Sequence, residues 1–266
     1  PFTNTTQETS YAYNTIKRAI DSVADPEVVE INLLAAPGVT NETLTSHMIN
    51  VCESRADALA IIDPKGGYIP PAEAIQGSFQ ARAGNVDTVI TNMQGRALNS
   101  SYGTAYYPWV QIRDIINDNV LWVPPSVAIL GTYASNDRNA APWFAPAGFT
   151  RGGLSQQAAG LPVVAVDGRL TSEERDRLYE VNINPIAQFP AEGIVVFGQK
   201  TLQATRSALD RVNVRRMLLY VKKQISRIAA TTLFENNIEA TWNIFKGRVE
   251  PFLRTVKVGG GLVDFR

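Results

Sequence analysis

The chain has 266 residues, 45% of them apolar and 19% charged, with 25 Lys+Arg balanced by 25 Asp+Glu. That length carries one large domain or two smaller ones with a real core, and zero net charge excludes bulk attraction to nucleic acid as a binding principle. Cys52 and His47 are the only cysteine and histidine, which excludes an intrachain disulfide and leaves too few ligands for zinc. No apolar run nears the roughly 18 residues of a membrane span, and no secretory signal stands at the start. The lone cysteine fits a cytosolic folding environment. Pro1 at one end and Val263-Asp264-Phe265-Arg266 at the other, which reads as a strand cut short, suggest a fragment of a longer protein.

Residues 11–24 read as a helix ended by Asp25-Pro26, and residues 28–34 as a short apolar strand closed by Ala36-Pro37-Gly38. Asn41 and Glu42 open a helix that runs through Ser54, and residues 58–62 form a second strand. A long polar helix is expected over 72–98, then a strand over 102–110 with Pro108 marking an edge or exit. Residues 119–123 read as another strand, and Pro124-Pro125 start a helix through about Ser135. The stretch 136–160, rich in Ala, Pro and Gly, reads as an irregular loop. Strand and helix return over 161–166 and 171–180, the helix opened by a capping box of Thr171 and Glu174. Alternation of this kind predicts an α/β layer with some parallel pairing.

Residues 193–201, Gly193-Ile-Val-Val-Phe-Gly198-Gln199-Lys200-Thr201, come close to a phosphate-binding P-loop. That chemistry needs Lys directly after the second Gly, where Gln199 stands, and an open loop where this chain has an apolar run. A core strand followed by a turn is the better reading. His47 and Cys52 lie about 140° apart on one helix, too far round to act as a nucleophile pair. Cys52 is expected to be buried and His47 to lie at the surface. Glu173, Glu174, Asp176 and Glu180, interleaved with Arg175 and Arg177, read as a solvated helix face.

Two long helices are expected at the C-terminus. In the first, Met217, Leu218, Val221, Ile225 and Ile228 fall within about 60° of Val214 on a helical wheel. Arg215, Arg216, Lys222, Lys223 and Arg227 occupy a separate arc about 80° to 220° away. In the second, Trp242, Phe245, Val249, Phe252 and Val256 recur at helical steps, with a kink expected at Pro251 and an end at Gly259-Gly260-Gly261. Between Lys200 and Arg227 the bases Lys200, Arg206, Arg211, Arg215, Arg216, Lys222, Lys223 and Arg227 meet one acid, Asp210. This basic face reads either as a solvated surface or as a contact, to an acidic protein or to nucleic-acid phosphate. Nucleic acid fits less well, because no aromatic residues alternate with the charges to stack bases.

Six segments in register extend these observations: Ala105-Tyr106-Tyr107-Pro108-Trp109; Val123-Pro124-Pro125-Ser126 through Gly131-Thr132-Tyr133-Ala134; residues 141–148; Asn184-Pro185-Ile186 before Gly193–Gly198 and Lys200-Thr201-Leu202; Val212-Asn213-Val214-Arg215-Arg216; and Phe252-Leu253 with Gly260-Gly261-Leu262-Val263-Asp264-Phe265. Over about 102–266 this pattern resembles the tail sheath proteins of contractile-tailed bacteriophages, related to the sheaths of pyocins and type VI secretion systems. Before Tyr102 the likeness is one of element order. The chain departs from the family at Gln199, often Ala, at Phe149-Thr150-Arg151, usually an Asn-containing loop, and in lacking the C-terminal extension past Phe265. That extension and an N-terminal arm add strands to neighbouring subunits' sheets in the family, a linkage this chain as given would not complete.

The resemblance implies a mixed α/β (α+β) fold: a layered sheet with flanking helices and a C-terminal pair of long helices, with an α/β part at 1–101 and a C-terminal sheath part at 102–266. It implies a structural virion protein, not an enzyme, with no cofactor. Its partners would be copies of itself in stacked hexameric rings, an inner tail tube, and baseplate and tail terminator proteins. Assembly would occur in the host cytoplasm, without membrane insertion or direct nucleic-acid contact. On this reading Arg215, Arg216, Lys222, Lys223 and Arg227 touch the tube or the next subunit. The alternatives are a soluble α/β enzyme with an unrecognised site and a nucleic-acid-binding module using the basic helix at 214–228.

Overall fold

The computed structural model describes residues 10–66, 84–114, 116–155 and 162–265. A five-stranded sheet runs in the order β1 (Leu33–Ala35), β2 (Leu59–Ile62), β3 (Gly103–Tyr107), β7 (Ile183–Phe189) and β8 (Gly193–Val196). The first three pairings are parallel and the β7–β8 hairpin is antiparallel. A second, antiparallel sheet has the order β5 (Asn119–Val123), β4 (Val110–Asp114), β6 (Val163–Val166).

Strand β2 is buried at every position, as a parallel strand covered on both faces requires. Ala60 and Ile62, with Ala105 and Tyr107 of β3, join a core under α1 (Tyr11–Asp21), α2 (Glu42–Arg55) and α3 (Val86–Gly95). Leu59, Ile61 and Tyr106 join a second core under α4 (Pro125–Asn139) and α7 (Val212–Ala230). A third, small cluster of Met217, Val221 and Val256 binds α7 to α8 (Glu239–Val258). The sheet order carries strands across residue 101, with β3 between β2 and β7.

Local chemistry explains most helix starts. Ser10, Asn41 and Asn85 each accept a hydrogen bond from the third backbone N–H of the helix that follows. Thr171 and Glu174 form the expected capping box at α6 (Ser172–Glu180). Helix α4 starts at Pro125 as expected but has no side-chain cap of its own. Asp63, just beyond β2, fills that role from a distance: its carboxylate accepts from Ser126 N–H (3.1 Å), Ser126 Oγ (2.7 Å) and Gly38 N–H (2.9 Å).

Several expectations need correction. The strand over 28–34 shrinks to β1. Of the helix over 72–98 only α3 lies within the described residues, since 67–83 fall outside them. The strand over 102–110 splits at Pro108, which has no N–H to donate to a ladder, so β3 and β4 enter different sheets. The loop over 136–160 holds the end of α4 and the short helix α5 (Gly148–Arg151). Helix α8 continues through Pro251. Residues 263–265 pair with no strand among the described residues. Strand β7 is an addition, and it carries Pro185, which has no N–H for an interior ladder. The parallel register with β3 ends at Pro185 and the antiparallel register with β8 begins at Ile186, so Pro185 sits where the partners change.

Asp63→Ala leaves three donors without their acceptor and is expected to cost at least about 1–3 kcal/mol in urea unfolding. Burial pushes the Asp63 carboxyl above its ordinary value, outweighing its hydrogen bonds to Gly38 and Ser126. The native chain therefore holds that proton more tightly than the unfolded chain. This group's share of stability is full below the unfolded value and is lost as pH rises through the folded one. Wild-type stability relative to Asp63→Asn should fall as pH rises above the ordinary aspartate range; a flat difference counts against this assignment.

Candidate interaction surface

Helix α7 carries the five basic residues singled out by sequence, and it buries two of its sides. Val214, Met217, Val221 and Ile225 pack towards α8 with Phe252 and Val256, while Val212 and Leu219 enter the core beneath the sheet. The basic arc lies on this second, sheet-facing side.

Arg215 and Arg216 are only 8% and 7% exposed. The Arg215 guanidinium lies 4.1 Å from the centre of the Tyr102 ring and donates to Ser101 Oγ. Burial lowers its proton affinity below the usual arginine value. Arg216 sits 4.5 Å from the centre of the Tyr133 ring and donates to Asp137 of α4. Tyr133 in turn shares a 2.6 Å hydrogen bond with Tyr106 of β3, both hydroxyls deep in the core. Burial pushes the Tyr106 hydroxyl up to about 12. The aromatic faces and hydroxyls together hold two cations that would otherwise be costly to bury.

The other three cations lie further along the same side. Lys222 is exposed and donates to Ala56 O at 3.1 Å. Lys223 reaches Ile31 O (2.9 Å) and Asn32 Oδ1 (2.7 Å), with Glu30 at 3.4 Å. Arg227 pairs with Glu30. A cleft of about 180 Å³ opens here, in which Arg216, Lys223 and Arg227 face Glu30, Asp57 and Asp137.

The expectation of one exposed basic face is thus corrected: the cations of α7 mostly bond within the chain, two of them from inside it. The sequence held a sign of this. Leu219 and Val212 fall about 140° and 160° from Val214, in the middle of the basic arc. An apolar centre flanked by long-stemmed cations describes a face that packs on a core and snorkels at its rim. The carboxylates at Glu30, Asp57 and Asp137 and the rings of Tyr102 and Tyr133 gave no local signal, because each comes from a distant segment.

The near P-loop is a strand and turn, as its apolar run requires. Ile194, Val195 and Val196 are buried in β8. Gly193 adopts φ +75° at the β7–β8 turn, and a Cβ on Gly198 would lie 3.1 Å from Asn184 Cα. Asn184 is fully buried and donates to Thr104 Oγ1, Ala105 O and Lys200 O, tying this turn to β3. Cys52 is fully buried, and burial pushes its thiol up to about 12. His47 pairs with Asp21 at 2.6 Å on the partly exposed side of α2. Among the described residues no group of three or more His, Cys, Asp and Glu could hold a metal ion, and no helix is long and apolar enough to cross a membrane.

What the structure defines is a two-sheet α/β framework whose polar residues mostly serve its own packing. The family model "Phage tail sheath protein central domain" matches residues 12–202. The chain is 35% identical over 262 residues to the tail sheath protein of Vibrio phage KVP40 and 30% identical over 266 residues to that of Enterobacteria phage T4. These alignments cover 93% and 94% of this chain and 38% of each relative, so the chain spans well under half of their length. Its fold matches a chain of the anti-feeding prophage baseplate with a TM-score of 0.69 at 22% identity, over 97% of this chain and 61% of that one. A chain of the contracted PVC sheath complex, an extracellular contractile injection system, matches with a TM-score of 0.67 at 22% identity, over 93% and 61%. The chain belongs to the phage tail sheath protein family. The match from residue 12 extends the likeness to the segment before Tyr102, where sequence reading saw only element order.

The Arg216–Asp137 pair predicts an asymmetry. Asp137→Ala leaves a buried guanidinium without its counter-charge and is expected to cost about 3–5 kcal/mol. Arg216→Ala leaves a carboxylate that is 38% exposed and can rehydrate, so its cost should be smaller, about 1–3 kcal/mol. Denaturant unfolding of both variants checks the order; equal costs or the reverse order contradict the burial argument.

Proposed function

We propose that this chain is the core of a structural subunit of a contractile phage tail sheath, which polymerises around an inner tail tube and contracts to drive that tube through the host envelope. The observation that carries this reading is the 35% identity to a tail sheath protein across 93% of the chain. The fold shared with a contracted injection-system sheath supports it. In the assembly, copies of the subunit form stacked hexameric rings in the virion tail, bounded by baseplate and tail terminator proteins and built in the host cytoplasm. Contraction is a switch between two arrangements of inter-subunit contacts around cores that keep their packing.

The mechanism calls for no catalytic group and no cofactor. Its energy is stored when subunits assemble in the arrangement with fewer contacts, and the close packing of the subunit core transmits the movement. Of the five basic residues, we assign contact with the tube or a neighbouring subunit to the exposed Lys222 and Arg227, whereas Arg215, Arg216 and Lys223 bond within the chain. An exposed ion pair is worth only about 0–1 kcal/mol, but repetition over many subunits multiplies it. Burial of Arg215 and Arg216 also weakens the nucleic-acid alternative, which needed the whole face.

Electron microscopy of the full-length protein expressed with its tube protein tests the reading. Stacked rings or tubes are expected; a small closed oligomer at high concentration would contradict it. In the same assay Lys222→Glu with Arg227→Glu should lower the yield of assembled tubes while leaving the subunit folded.

A further inference from the structure

A second basic region lies away from the cleft on α7, where the end of α6 meets the loop between β8 and α7. A cavity of about 630 Å³ opens there, with Tyr179, Glu180, Lys200, Arg206, Asp210 and Arg211 in its wall. The Tyr179 ring forms its aromatic side. The Lys200 ammonium lies 4.2 Å from the ring centre and donates to Tyr179 O at 2.7 Å, and the Arg211 guanidinium donates to the Tyr179 hydroxyl. Lys200 and Arg211 face each other across an antiparallel bridge, which fixes their spacing through the backbone.

The charges here are unevenly matched. Asp210 is taken up by Arg211 at 3.2 Å. Among the described residues neither Lys200 nor Arg206 has a carboxylate partner. Lys200 makes one hydrogen bond, so two of its three N–H groups remain available. Burial, and then the like charges of Arg211 and Arg206, lower its proton affinity, with Asp210 and Glu180 opposing that shift in part. Three cations held near one another beside an aromatic wall are in mutual conflict, and a bound negative group relieves it. The loop that carries them is itself ordered: Thr201 Oγ1 donates to Leu209 O, and Gln203 Nε2 donates to Thr205 O and Ser207 Oγ. The site is therefore held open in advance of any ligand, which lowers the cost of binding.

We propose that this cavity is an oxyanion-binding site in which Lys200, Arg206 and Arg211 hold the charge, Tyr179 forms the wall, and Glu180 at the rim opposes occupancy. The occupant is a small free oxyanion of the phosphate class. This site stands independently of the sheath reading and of the cleft on α7.

An NMR titration of the backbone amides over 179–182 and 199–211 tests the site, with inorganic phosphate, succinate and sodium chloride compared at matched ionic strength. Saturable shifts with phosphate, weaker with succinate and absent with chloride, are expected. Tighter binding of succinate than of phosphate would contradict the assignment to a phosphate-class anion. Arg206→Met, which removes a cation with no described partner in the fold, should weaken binding about fivefold, the effect of one exposed charge pair. Glu180→Gln should tighten binding, an effect that a merely structural Glu180 would not give. Shifts no larger than those with chloride, or binding unchanged by both substitutions, would overturn the proposal.

Discussion

The arrangement of the C-terminal half depends on one constraint, that α7 must bury two sides at once. One side closes the core beneath the five-stranded sheet through Val212 and Leu219, and the other carries α8 through Met217 and Val221. A helix used this way has little room for solvated charge, yet its sheet side holds Arg215 and Arg216. Their guanidinium groups are accommodated because Tyr102 and Tyr133 offer ring faces and because Ser101 and Asp137 accept hydrogen bonds. The long aliphatic stems add apolar packing that a shorter cation would lack. The α7–α8 pair is thereby fixed to the sheet by partners from before β3, from α4 and from the segment around Glu30.

The sheet carries its own polar framework. Asp63 joins the end of β2 to the start of α4, and Asn184 joins β7 to β3 and to the turn after β8. In both places a buried polar side chain satisfies backbone groups that regular ladders leave over, which specifies how layers meet more sharply than apolar packing alone. Together with the arginines of α7 these contacts make the subunit core a connected body. The sheath role proposed above, in which subunits slide past one another, places flexibility at the contacts between them and not within the core.

Elements set by local chemistry were legible in the sequence. The start of α2 at Asn41, the capping box of α6 and the amphipathic course of α7 all follow from residues a few positions apart. The failures have physical causes of a different kind. Strand β7 was hidden by Pro185, whose missing N–H is harmless only because its partners change at that residue. The split between β3 and β4 needed knowledge of two sheets. A basic arc on a helical wheel looks like a surface, yet Leu219 and Val212 at its centre mark a buried side. Neither Asp137 nor Tyr133 is near α7 in sequence, so no local pattern could reveal the partners of Arg216. The cavity at Tyr179 has no local signal for the same reason: the neighbours of Lys200, Tyr179 and Arg211, come from separate segments.

The central claim is that the subunit core keeps its buried arginines while its outer contacts do the work of assembly. A cryo-electron microscopy map of the full-length protein in an assembled tube, at a resolution that shows side chains, tests it most directly. The account predicts Arg215 against Tyr102 and Arg216 bonded to Asp137 within each subunit. A map in which either guanidinium has left the subunit to pair with a carboxylate of the tube or of a neighbouring copy would contradict it.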